Sequence, residues 1–507
     1  MIRYLFFILG IPSIEGKFPY GSHPEILKGA VHINTINIQN YQHFKDKDVY
    51  GTYVLGKPCL NVKNVESIRH ILVKDFNSFV DRNDPNFNKM LDGGKTDQLW
   101  RIQMANLSGD DWKDVRSTFT PIFTSGKLKG MLSFIYLVGA RLKAESKRLA
   151  DEGNDFELKD LFGKFSLDSL AECAFGINPR SFEGKDSLFV KHAARVFQNT
   201  VLDLLTVLRL IPGVQKISKI LGVNLMNPAP TRFFVKILTD TIRRRKETGS
   251  KRNDLIDMMI DCLENEQVDN DSNEADNDQY HKDMELNHER SSKFKKNEDI
   301  IIATAMVILV AGYDTTGQTL SFLSYELAAN PDIQEKLQEE VDEAYKANNG
   351  ALPDYRVIQE LPYLEMCILE TLRLHTPFGG LTRSCTKDTT IPNYEHPVRK
   401  NDLINIPVSG IHMDPEFYPN PTQFNPENFS KEARSLRSPY TFIGFGQGPR
   451  ACIGMRFAML EAKVAMLEVL SSYTFLPSDK NPKELELDPR STLGYIKGGL
   501  HAKIVRR

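Results

Sequence analysis

The sequence has few cysteines, almost no net charge and no long apolar run at its start. It carries 64 lysines and arginines against 66 aspartates and glutamates, which gives a formal net charge of −2 over 507 residues. Because no excess of positive charge attracts the chain to a polyanion, nucleic acid is not an expected partner. The six cysteines are scattered without a C-x-x-C pair, which argues against a disulfide scaffold or a structural zinc site and favours a reducing compartment.

The apolar run at the N-terminus, Tyr4–Ile11, ends at Pro12 and is far shorter than the roughly 20 residues that cross a bilayer. No small-residue cleavage site of the signal-peptide type follows it. We interpret residues 1–26 as an apolar stub that precedes one large domain, residues 27–507. Three interpretations of the run stay open: the remnant of a longer membrane anchor, an apolar tip on a membrane surface, or a first element packed on the core.

The domain is predicted to be mostly α-helical with a small β component. Strand-like alternation is confined to short stretches, such as GTYVLGKPCLNV at residues 51–62 and the pieces at 388–393 and 402–409. From about residue 110 onwards, apolar residues recur at helical spacing.

Residues 264–299 are rich in acids and contain almost no large apolar side chain. They can bury little surface, so we predict a flexible, exposed acidic loop between two helices. The following stretch, Ile301–Pro331, is apolar almost all round, which is typical of a helix through the middle of a large domain. A membrane span is the competing interpretation, but Asp314 and several threonines interrupt the run.

The stretch FGQGPRACIG, Phe445–Gly454, places one cysteine in a glycine-rich loop just before a helix-like run. Glycines permit backbone angles that are closed to other residues and let a flat ligand approach the main chain. The free N–H groups and dipole of the helix start, with Arg450 nearby, favour a thiolate at Cys452. A sulfur anion surrounded by N–H donors is what an iron–thiolate bond requires. The alternative is a buried cysteine in a glycine turn.

This arrangement resembles the haem-binding signature of the cytochrome P-450 family, the haem-thiolate monooxygenases. The resemblance extends from about residue 20 to the end of the chain. It implies the cytochrome P-450 fold, with a long central helix over a b-type haem, and Cys452 as the axial ligand of the haem iron. It also implies that Arg450 pairs with a haem propionate and that Phe445 packs beside the sulfur.

The stretch AGYDTT, Ala311–Thr316, places an acid and an alcohol side by side in an apolar helix. A buried carboxylate is costly unless it has a partner or a task. Small Ala311 and Gly312 are expected to leave room for a ligand. The stretch resembles the family's oxygen-activation segment, which implies that Asp314 and Thr315 are catalytic and deliver protons through water. The alternative for Thr315 is a hydrogen bond back to its own helix.

The stretch ETLR places Glu370 and Arg373 on one helix face, where they can pair. It resembles the family's structural Glu–Arg pair, whose network an arginine in a P-E-R-F segment usually completes. Here the segment reads PENF, and Asn428 can form hydrogen bonds but carries no charge. The resemblance therefore implies a weaker network and leaves haem ligation unaffected. His375 and His412 lack metal-ligand spacing and are expected to be structural.

The stretch WKDVR places Trp112 and Arg116 four residues apart on one helix face, an arrangement suited to gripping a carboxylate. It resembles the family's propionate clamp, and Arg383 sits where the family has a further propionate-binding arginine. Taken alone, each arginine would be interpreted as an ordinary surface cation.

The resemblance implies a monooxygenase that acts on a lipophilic compound, either a xenobiotic or an endogenous lipid or steroid. Stretches such as YELAANPDIQEKLQEEVDEA look like the animal microsomal branch, which includes vertebrate drug-metabolising and insect detoxifying members. The segments implied to line the substrate site are largely apolar, as expected for such a ligand. They are residues 90–106, 195–215, Ile301–Thr315, Thr376–Thr382 and Gly494–Leu500.

The implied partners are an NADPH-dependent flavin reductase, with a cytochrome b-type protein as a further electron donor, and a membrane surface. The implied location is the cytoplasmic face of the endoplasmic reticulum membrane. The basic residues expected to meet the acidic reductase are Lys113, Lys127, Lys129 and Arg456. Two alternatives remain: a non-catalytic haem-thiolate carrier or sensor, and a reductase-independent peroxide isomerase on the same fold. The Asp314–Thr315 pair argues against both.

Overall fold

The structure, a computed structural model, describes most of the chain: residues 5–17, 19–82, 91, 94–184, 187–196, 214, 217, 220–222, 224–264, 298–491 and 493–507. The described helices are numbered here in chain order. They are α1 Leu5–Ile8, α2 Pro24–Leu27, α3 Ile33–His43, α4 Val65–Arg69, α5 Lys95–Ile102, α6 Gly109–Phe119, α7 Ser125–Glu152, α8 Leu158–Leu170, α9 Leu188–Arg195, α10 Pro228–Thr248, α11 Leu255–Glu264, α12 Glu298–Ala329, α13 Pro331–Ala347, α14 Tyr355–Gln359, α15 Pro362–Leu374, α16 Val408–His412, α17 Lys431–Ser435 and α18 Met455–Leu470.

The strands are short and form two sheets. They are β1 Val49–Val54, β2 Lys57–Val62, β3 Phe156–Glu157, β4 Leu381–Ser384, β5 Leu403–Ile406, β6 Tyr473–Pro477 and β7 His501–Arg506. The four-stranded sheet has the order β1-β2-β5-β4, in which only β2 and β5 run parallel. The three-stranded sheet has the order β3-β7-β6 and is antiparallel. The predicted mostly helical fold with a small β component is confirmed.

Helix α12 runs through the core and packs against α8. A side chain at Gly317 would place its Cβ 3.1 Å from the Cα of Gly163, so the two backbones approach closely. Of the described helices, α12 is the one whose length and composition would allow it to cross a membrane, but 67% of its most apolar window is buried inside the protein. Its apolar character is therefore accounted for by its position in the core.

The described part of the N-terminal run packs on the four-stranded sheet. Phe6 is 3% exposed, and its ring centroid lies 5.4 Å from that of Tyr53. Ile11 is also buried, whereas Ile8 is exposed. These contacts favour the third interpretation of the run, a first element packed on the core, and the membrane roles of residues 1–26 stay predictions.

Two other sequence predictions have different outcomes. The strand-like piece at 388–393 forms only an isolated bridge, between Thr389 and Val398, so the prediction of a strand there is wrong. Four residues after Thr389, Asn393 adopts a positive φ, which turns the chain before a ladder can extend. The acidic loop at 264–299 lies outside the described residues except for its ends, which belong to α11 and α12.

Candidate functional site

Cys452 lies in a tight loop between a 3₁₀ turn, Gly448–Arg450, and the start of α18. Its backbone N–H donates to the carbonyl oxygen of Phe445 at 2.8 Å, which closes the loop. Gly448 has a φ of 69°, and a Cβ there would stand 2.0 Å from the carbonyl oxygen of Leu72. Only glycine fits this position, because the loop packs directly against the π-helical turn His70–Lys74, which contains Leu72.

The sulfur of Cys452 faces an internal space. The other cysteines with described side chains are buried: Cys59, Cys173, Cys367 and Cys385. Cys452 is exposed, yet burial is the largest influence on its thiol and raises its pKa. The N–H of Gly454 and the charges of Arg116 and Arg82 oppose that rise. A side chain that is open to solvent and still desolvated lines a cavity, and a metal ion bound there would displace the thiol proton.

Four arginines cluster near Cys452, namely Arg82, Arg116, Arg383 and Arg450, and the charge of Arg82 lowers the pKa of each of the other three. Burial lowers the pKa of Arg383 to about 9, and Arg82 lowers it further. Burial lowers the pKa of Arg116 to about 10, with Cys452 acting against and Arg82 adding to the decrease. Burial also lowers the pKa of Arg450 well below its usual range, and Arg82, Arg383 and Arg116 contribute. An anion bound among these desolvated cations would offset the electrostatic cost of their burial.

Arg450 is the most extensively bonded member of the cluster. Its guanidinium donates to the carbonyl oxygens of Val80 at 2.9 Å, Ala105 at 3.4 Å and Leu107 at 2.8 Å. It also lies 3.9 Å from the ring centroid of Trp112. The predicted pairing of Arg450 with a propionate stays a prediction, and in this structure its described bonds join the cysteine loop to the segments before α6.

Two of the arginines keep buried donors without an acceptor in the described part of the chain. These are the Nε atoms of Arg82 and Arg383. Arg82 also donates through Nη2 to the carbonyl oxygen of Arg450 at 2.7 Å, and Arg383 donates through Nη1 to that of Thr382 at 2.9 Å. An exposed cysteine beside unpaired cationic donors fits a haem, because a haem offers both an iron and two carboxylates.

Asp314 is held by two partners from outside its helix. Nζ of Lys159, on α8, lies 2.8 Å from Oδ1 of Asp314 and 2.9 Å from its carbonyl oxygen. The hydroxyl of Tyr495 donates to the same Oδ1 atom. The Lys159 side chain is one-fifth exposed, so it connects the buried acid with the protein surface. The carboxylate therefore has the partners that its burial requires.

The other residues of AGYDTT divide between two faces of α12. Thr315 is partly exposed, and its Oγ1 donates to the carbonyl oxygen of Ala311 at 2.7 Å, the back-bond that was the structural alternative. Ala311 is exposed although most of the helix around it is buried, so it borders an internal space. Gly312 does not leave room for a ligand: a Cβ there would stand 2.7 Å from Leu170 of α8. That part of the prediction is wrong, because this glycine serves helix packing.

Glu370 and Arg373 form a fully buried pair, as their spacing indicates. The Arg373 guanidinium donates to both carboxylate oxygens of Glu370 at 2.7 Å. It also donates to the carbonyl oxygens of His412 and Pro421, at 2.8 and 2.7 Å. Asn428 Nδ2 donates to Glu370 at 3.0 Å, so the asparagine enters the network as a neutral donor.

The two histidines are structural in their contacts. His412 is fully buried, and its Nε2 accepts from the N–H of Ile443, at the start of the cysteine loop, at 3.0 Å. Burial lowers the pKa of His412 to about 3, and Arg373 lowers it further. His375 stacks on Phe322 with ring centroids 4.0 Å apart, and its Nε2 lies 2.7 Å from Glu326.

Several residues of the site carry no recognisable sequence signal. Lys159 and Tyr495 reach Asp314 from 155 and 181 residues away. Arg82 belongs to no motif, and its position beside the other arginines depends on the tertiary fold. The contact of His412 with the cysteine loop is likewise long-range. A pattern of short spacings does not contain such pairs.

Comparison with known proteins identifies the family of the chain. The family model described as Cytochrome P450 matches residues 21–499. Probable cytochrome P450 6g2 of Drosophila melanogaster is 31% identical over 514 residues, covering 98% of this chain and 93% of the relative. Probable cytochrome P450 6a13 of the same insect is 33% identical, covering 94% and 89%. Cytochrome P450 3A29 of Sus scrofa is 32% identical, covering 95% and 89%.

The chain therefore belongs to the cytochrome P450 family. It is a haem-thiolate monooxygenase, an oxidoreductase of the class whose haem iron has an axial cysteine. The resemblance to animal members is confirmed, since these relatives come from an insect and a mammal.

Proposed function

We propose that the chain oxidises a lipophilic organic compound, a xenobiotic or an endogenous lipid or steroid, with Cys452 as the axial ligand. The observation that carries this proposal is the position of the Cys452 thiol, open to an internal space and within the electrostatic influence of Arg82 and Arg116. When bound, haem supplies the dioxygen activation and the one-electron redox steps. The protein supplies the ligand, the orientation and the protons.

The arginines and Trp112 would hold the two propionates of haem b. Arg116 and Trp112 face the same side of α6, and Arg383 enters from β4. The Nε–H groups of Arg82 and Arg383, which have no acceptor in the described part of the chain, would each donate to a carboxylate oxygen, which removes the cost of their burial. Phe445 lies partly exposed at the closing bond of the loop and would cover the sulfur.

Asp314 and Thr315 are proposed to deliver protons to the reaction site. Asp314 is paired with Lys159 and Tyr495, and Lys159 is partly in contact with solvent. A proton from the surface can therefore reach the Asp314 carboxylate through these side chains. Thr315 follows directly in α12 and donates to the carbonyl oxygen of Ala311, and a water molecule hydrogen-bonded to its hydroxyl would receive the proton.

A lipophilic substrate is supported by the side chains of the segments implied to line the site. In α12 the residues from Ile300 to Tyr313 are aliphatic, aromatic, glycine or methionine apart from Thr304. Phe378, in the segment Thr376–Thr382, is 53% exposed. Residues 195–215 lie outside the described residues apart from Arg195, Val196 and Val214. Apolar walls with few polar groups favour an apolar ligand.

The electron donor is proposed to be an NADPH-dependent flavin reductase, with a cytochrome b-type protein as a second donor. Lys127 and Lys129 are exposed at the start of α7. A cavity of about 450 Å³ lies between that helix start and the cysteine loop, with Ser125, Phe445 and Arg456 in its wall. Basic residues on this side of the loop would attract an acidic partner. Lys113 is engaged with Asp110 at 3.4 Å.

The endoplasmic reticulum membrane, at its cytoplasmic face, is the proposed location, since the partner reductase is membrane-bound. Exposed apolar side chains at Ile8, Ile217, Ile220 and Leu221 offer surfaces for membrane contact.

Reconstitution with a microsomal flavin reductase tests the proposal. The purified protein is incubated with the reductase, NADPH and a panel of lipophilic compounds, and products are identified by mass spectrometry. Oxygenated products that require both NADPH and the reductase support it. Tight binding of a compound, detected by a change in the haem spectrum, without any product would instead identify a carrier or sensor. Rearrangement of lipid peroxides without the reductase would identify an isomerase.

A further inference from the structure

Arg437 lies beside the Glu370–Arg373 network and makes contacts that no short motif predicts. Its Nη2 donates to the carbonyl oxygen of Asn428, and its Nη1 donates to that of Phe417 at 3.3 Å. The guanidinium also lies 4.4 Å from the ring centroid of Tyr418. Arg437 therefore joins the ends of the segment from Phe417 to Asn428 from outside that segment.

Arg437 is a direct neighbour of Asn428, the residue that replaces a cation in the Glu370 network. By the resemblance to the family, Asn428 occupies the place of an arginine that would bring a second positive charge to the network, and it contributes only a neutral donor to Glu370. Arg437 bonds to the backbone of that same residue. In the described part of the chain no carboxylate lies within ion-pair distance of Arg437, and Glu370 is among the groups that raise its pKa against the effect of burial. The two side chains are linked through Asn428, whose carbonyl oxygen accepts from Arg437 and whose Nδ2 donates to Glu370.

Arg437 and Arg373 share one aromatic ring. The Arg373 guanidinium lies 4.9 Å from the Tyr418 centroid, and Arg437 lies 4.4 Å from it. The Tyr418 hydroxyl donates to the carbonyl oxygen of Thr441 at 3.2 Å. A tyrosine held by two cations thus fixes the chain just before the cysteine loop.

The connection continues from there to the cysteine loop. Two residues after Thr441, the N–H of Ile443 donates to Nε2 of His412. The carbonyl oxygen of His412 in turn accepts from Arg373. Arg437, Phe442 and Phe445 line one cavity beside the loop. A displacement of Arg437 would therefore reach Phe445, the residue whose carbonyl closes the loop around Cys452.

We propose that Arg437 is a positioning residue that supplies, from outside the PENF segment, the positive charge that Asn428 lacks, and so keeps the cysteine loop in the form that binds iron through a thiolate. The inference rests on the proposed ligation by Cys452. It does not depend on the identity of the substrate or of the electron donor.

The test follows the thiolate-ligated haem signal of the reduced, carbon-monoxide-bound protein during heating, with far-ultraviolet circular dichroism recorded in parallel. Arg437→Met removes the charge and the donors and keeps an apolar stem. Arg434→Met is the matched control, because Arg434 is an exposed arginine three residues earlier. We expect Arg437→Met to lower the midpoint for loss of the thiolate signal by about 2 °C or more, and by more than the dichroism midpoint. Arg434→Met should change neither.

Charge replacement distinguishes this role from simple packing. Asn428→Arg in the Arg437→Met background restores a cation next to Glu370, and we expect the thiolate midpoint to return towards that of the unmodified protein. Arg437→Lys should retain part of the effect, since it keeps the charge and loses the planar fork. If Arg437→Met does not fold, recovery of folded haem protein in the double variant supports the proposal, and failure to recover it overturns it.

Three results would overturn the proposal. The first is an Arg437→Met variant that behaves like Arg434→Met. The second is a lowered midpoint that Asn428→Arg does not restore, since Arg437 would then act through its bulk alone. The third is an equal decrease of the thiolate and dichroism midpoints. Absence of a thiolate signal in the unmodified protein is a different result, which contradicts the ligation by Cys452 itself.

Discussion

The ammonium group of Lys159 lies 2.8 Å from the carboxylate of Asp314 and 2.9 Å from the carbonyl oxygen of the same residue. One cation from α8 therefore fixes both the side chain and the backbone of the acid in the AGYDTT stretch. Nζ of Lys159 also lies 4.8 Å from the ring centroid of Tyr495, whose hydroxyl bonds to the same carboxylate. The acid is thus oriented by a lysine and a tyrosine that are distant in the sequence.

Replacing Asp314 with Asn tests its proposed part in proton delivery. The amide keeps the size of the side chain and cannot carry a proton between Lys159 and Thr315. We expect product formation to slow by on the order of 10²-fold, with more NADPH consumed per product. Turnover and the ratio of NADPH to product are measured together. Asp299→Asn, an exposed acid at the start of the same helix, is the control. An Asp314→Asn variant with the turnover and ratio of this control would remove Asp314 from the mechanism.

A comparison with Thr319, which makes the same type of hydrogen bond, distinguishes a catalytic role of Thr315 from a purely structural one. Thr315 Oγ1 donates to the carbonyl oxygen of Ala311, and Thr319 Oγ1 donates to that of Thr315, at 2.7 and 2.9 Å. Thr315→Val should decrease the product formed per NADPH, because the hydroxyl that holds a water is lost. Thr319→Val should leave this ratio unchanged. Equal effects of the two substitutions on thermal stability, with no effect on the ratio, would make the back-bond the whole role of Thr315.

Arg383 should slow the loss of haem from the protein. Its Nε has no acceptor among the described residues, and a propionate would supply one. We expect Arg383→Met to accelerate haem transfer to excess apomyoglobin by about tenfold or more, because a charge-assisted hydrogen bond is lost. Arg399→Met removes an exposed arginine paired with Asp388 and should not alter the rate. An unchanged rate in Arg383→Met would contradict its place in the propionate cradle.

His412 should make the protein less stable in mild acid. Its pKa is about 3 in the fold, below the ordinary value of 6.5, so the unfolded chain binds a proton that the folded protein does not. Stability from this group is present above pH 6.5 and is lost as the pH falls towards 3. Between pH 7.5 and pH 5 the loss is about 2 kcal/mol. We expect His412→Gln to show a pH dependence of the unfolding free energy that is shallower by this amount. The unfolding free energy is measured by denaturant titration at each pH. The same pH dependence in His412→Gln and in the unmodified protein would refute the assignment.

The local patterns of the sequence predicted more of the fold than of the site. GTYVLGKPCLNV alternates and turns at Leu55 and Gly56, so most of the β1–β2 hairpin, all but Val49 and Tyr50, lies within this one stretch. The Glu370–Arg373 pair follows from a spacing of three on one helix. The strand expected at 388–393 failed because alternation does not provide a partner strand, and a partner is a tertiary property.

The site was predictable where its chemistry lies within one loop or helix. The glycines around Cys452 indicated backbone angles closed to other residues, and Gly446 and Gly448 adopt them with φ of 76° and 69°. The predicted approach of a flat ligand stays a prediction, since the close neighbour of Gly448 is the backbone of Leu72. Gly312 was misassigned because a missing side chain has the same sequence pattern whether a ligand or a neighbouring helix occupies the space. The contacts of Lys159 and Arg437 join residues that no motif spans. Their discovery required the packed structure.

The reduced, carbon-monoxide difference spectrum of the purified protein tests the central claim most directly. It is recorded for the unmodified protein, for Cys452→Ala and for Cys385→Ala, which removes a buried cysteine elsewhere in the fold. We expect a strongly red-shifted Soret band in the unmodified protein and in Cys385→Ala, and its loss in Cys452→Ala. A band at the shorter wavelength of neutral-ligand haem in the unmodified protein, or an unchanged band in Cys452→Ala, would contradict ligation by Cys452.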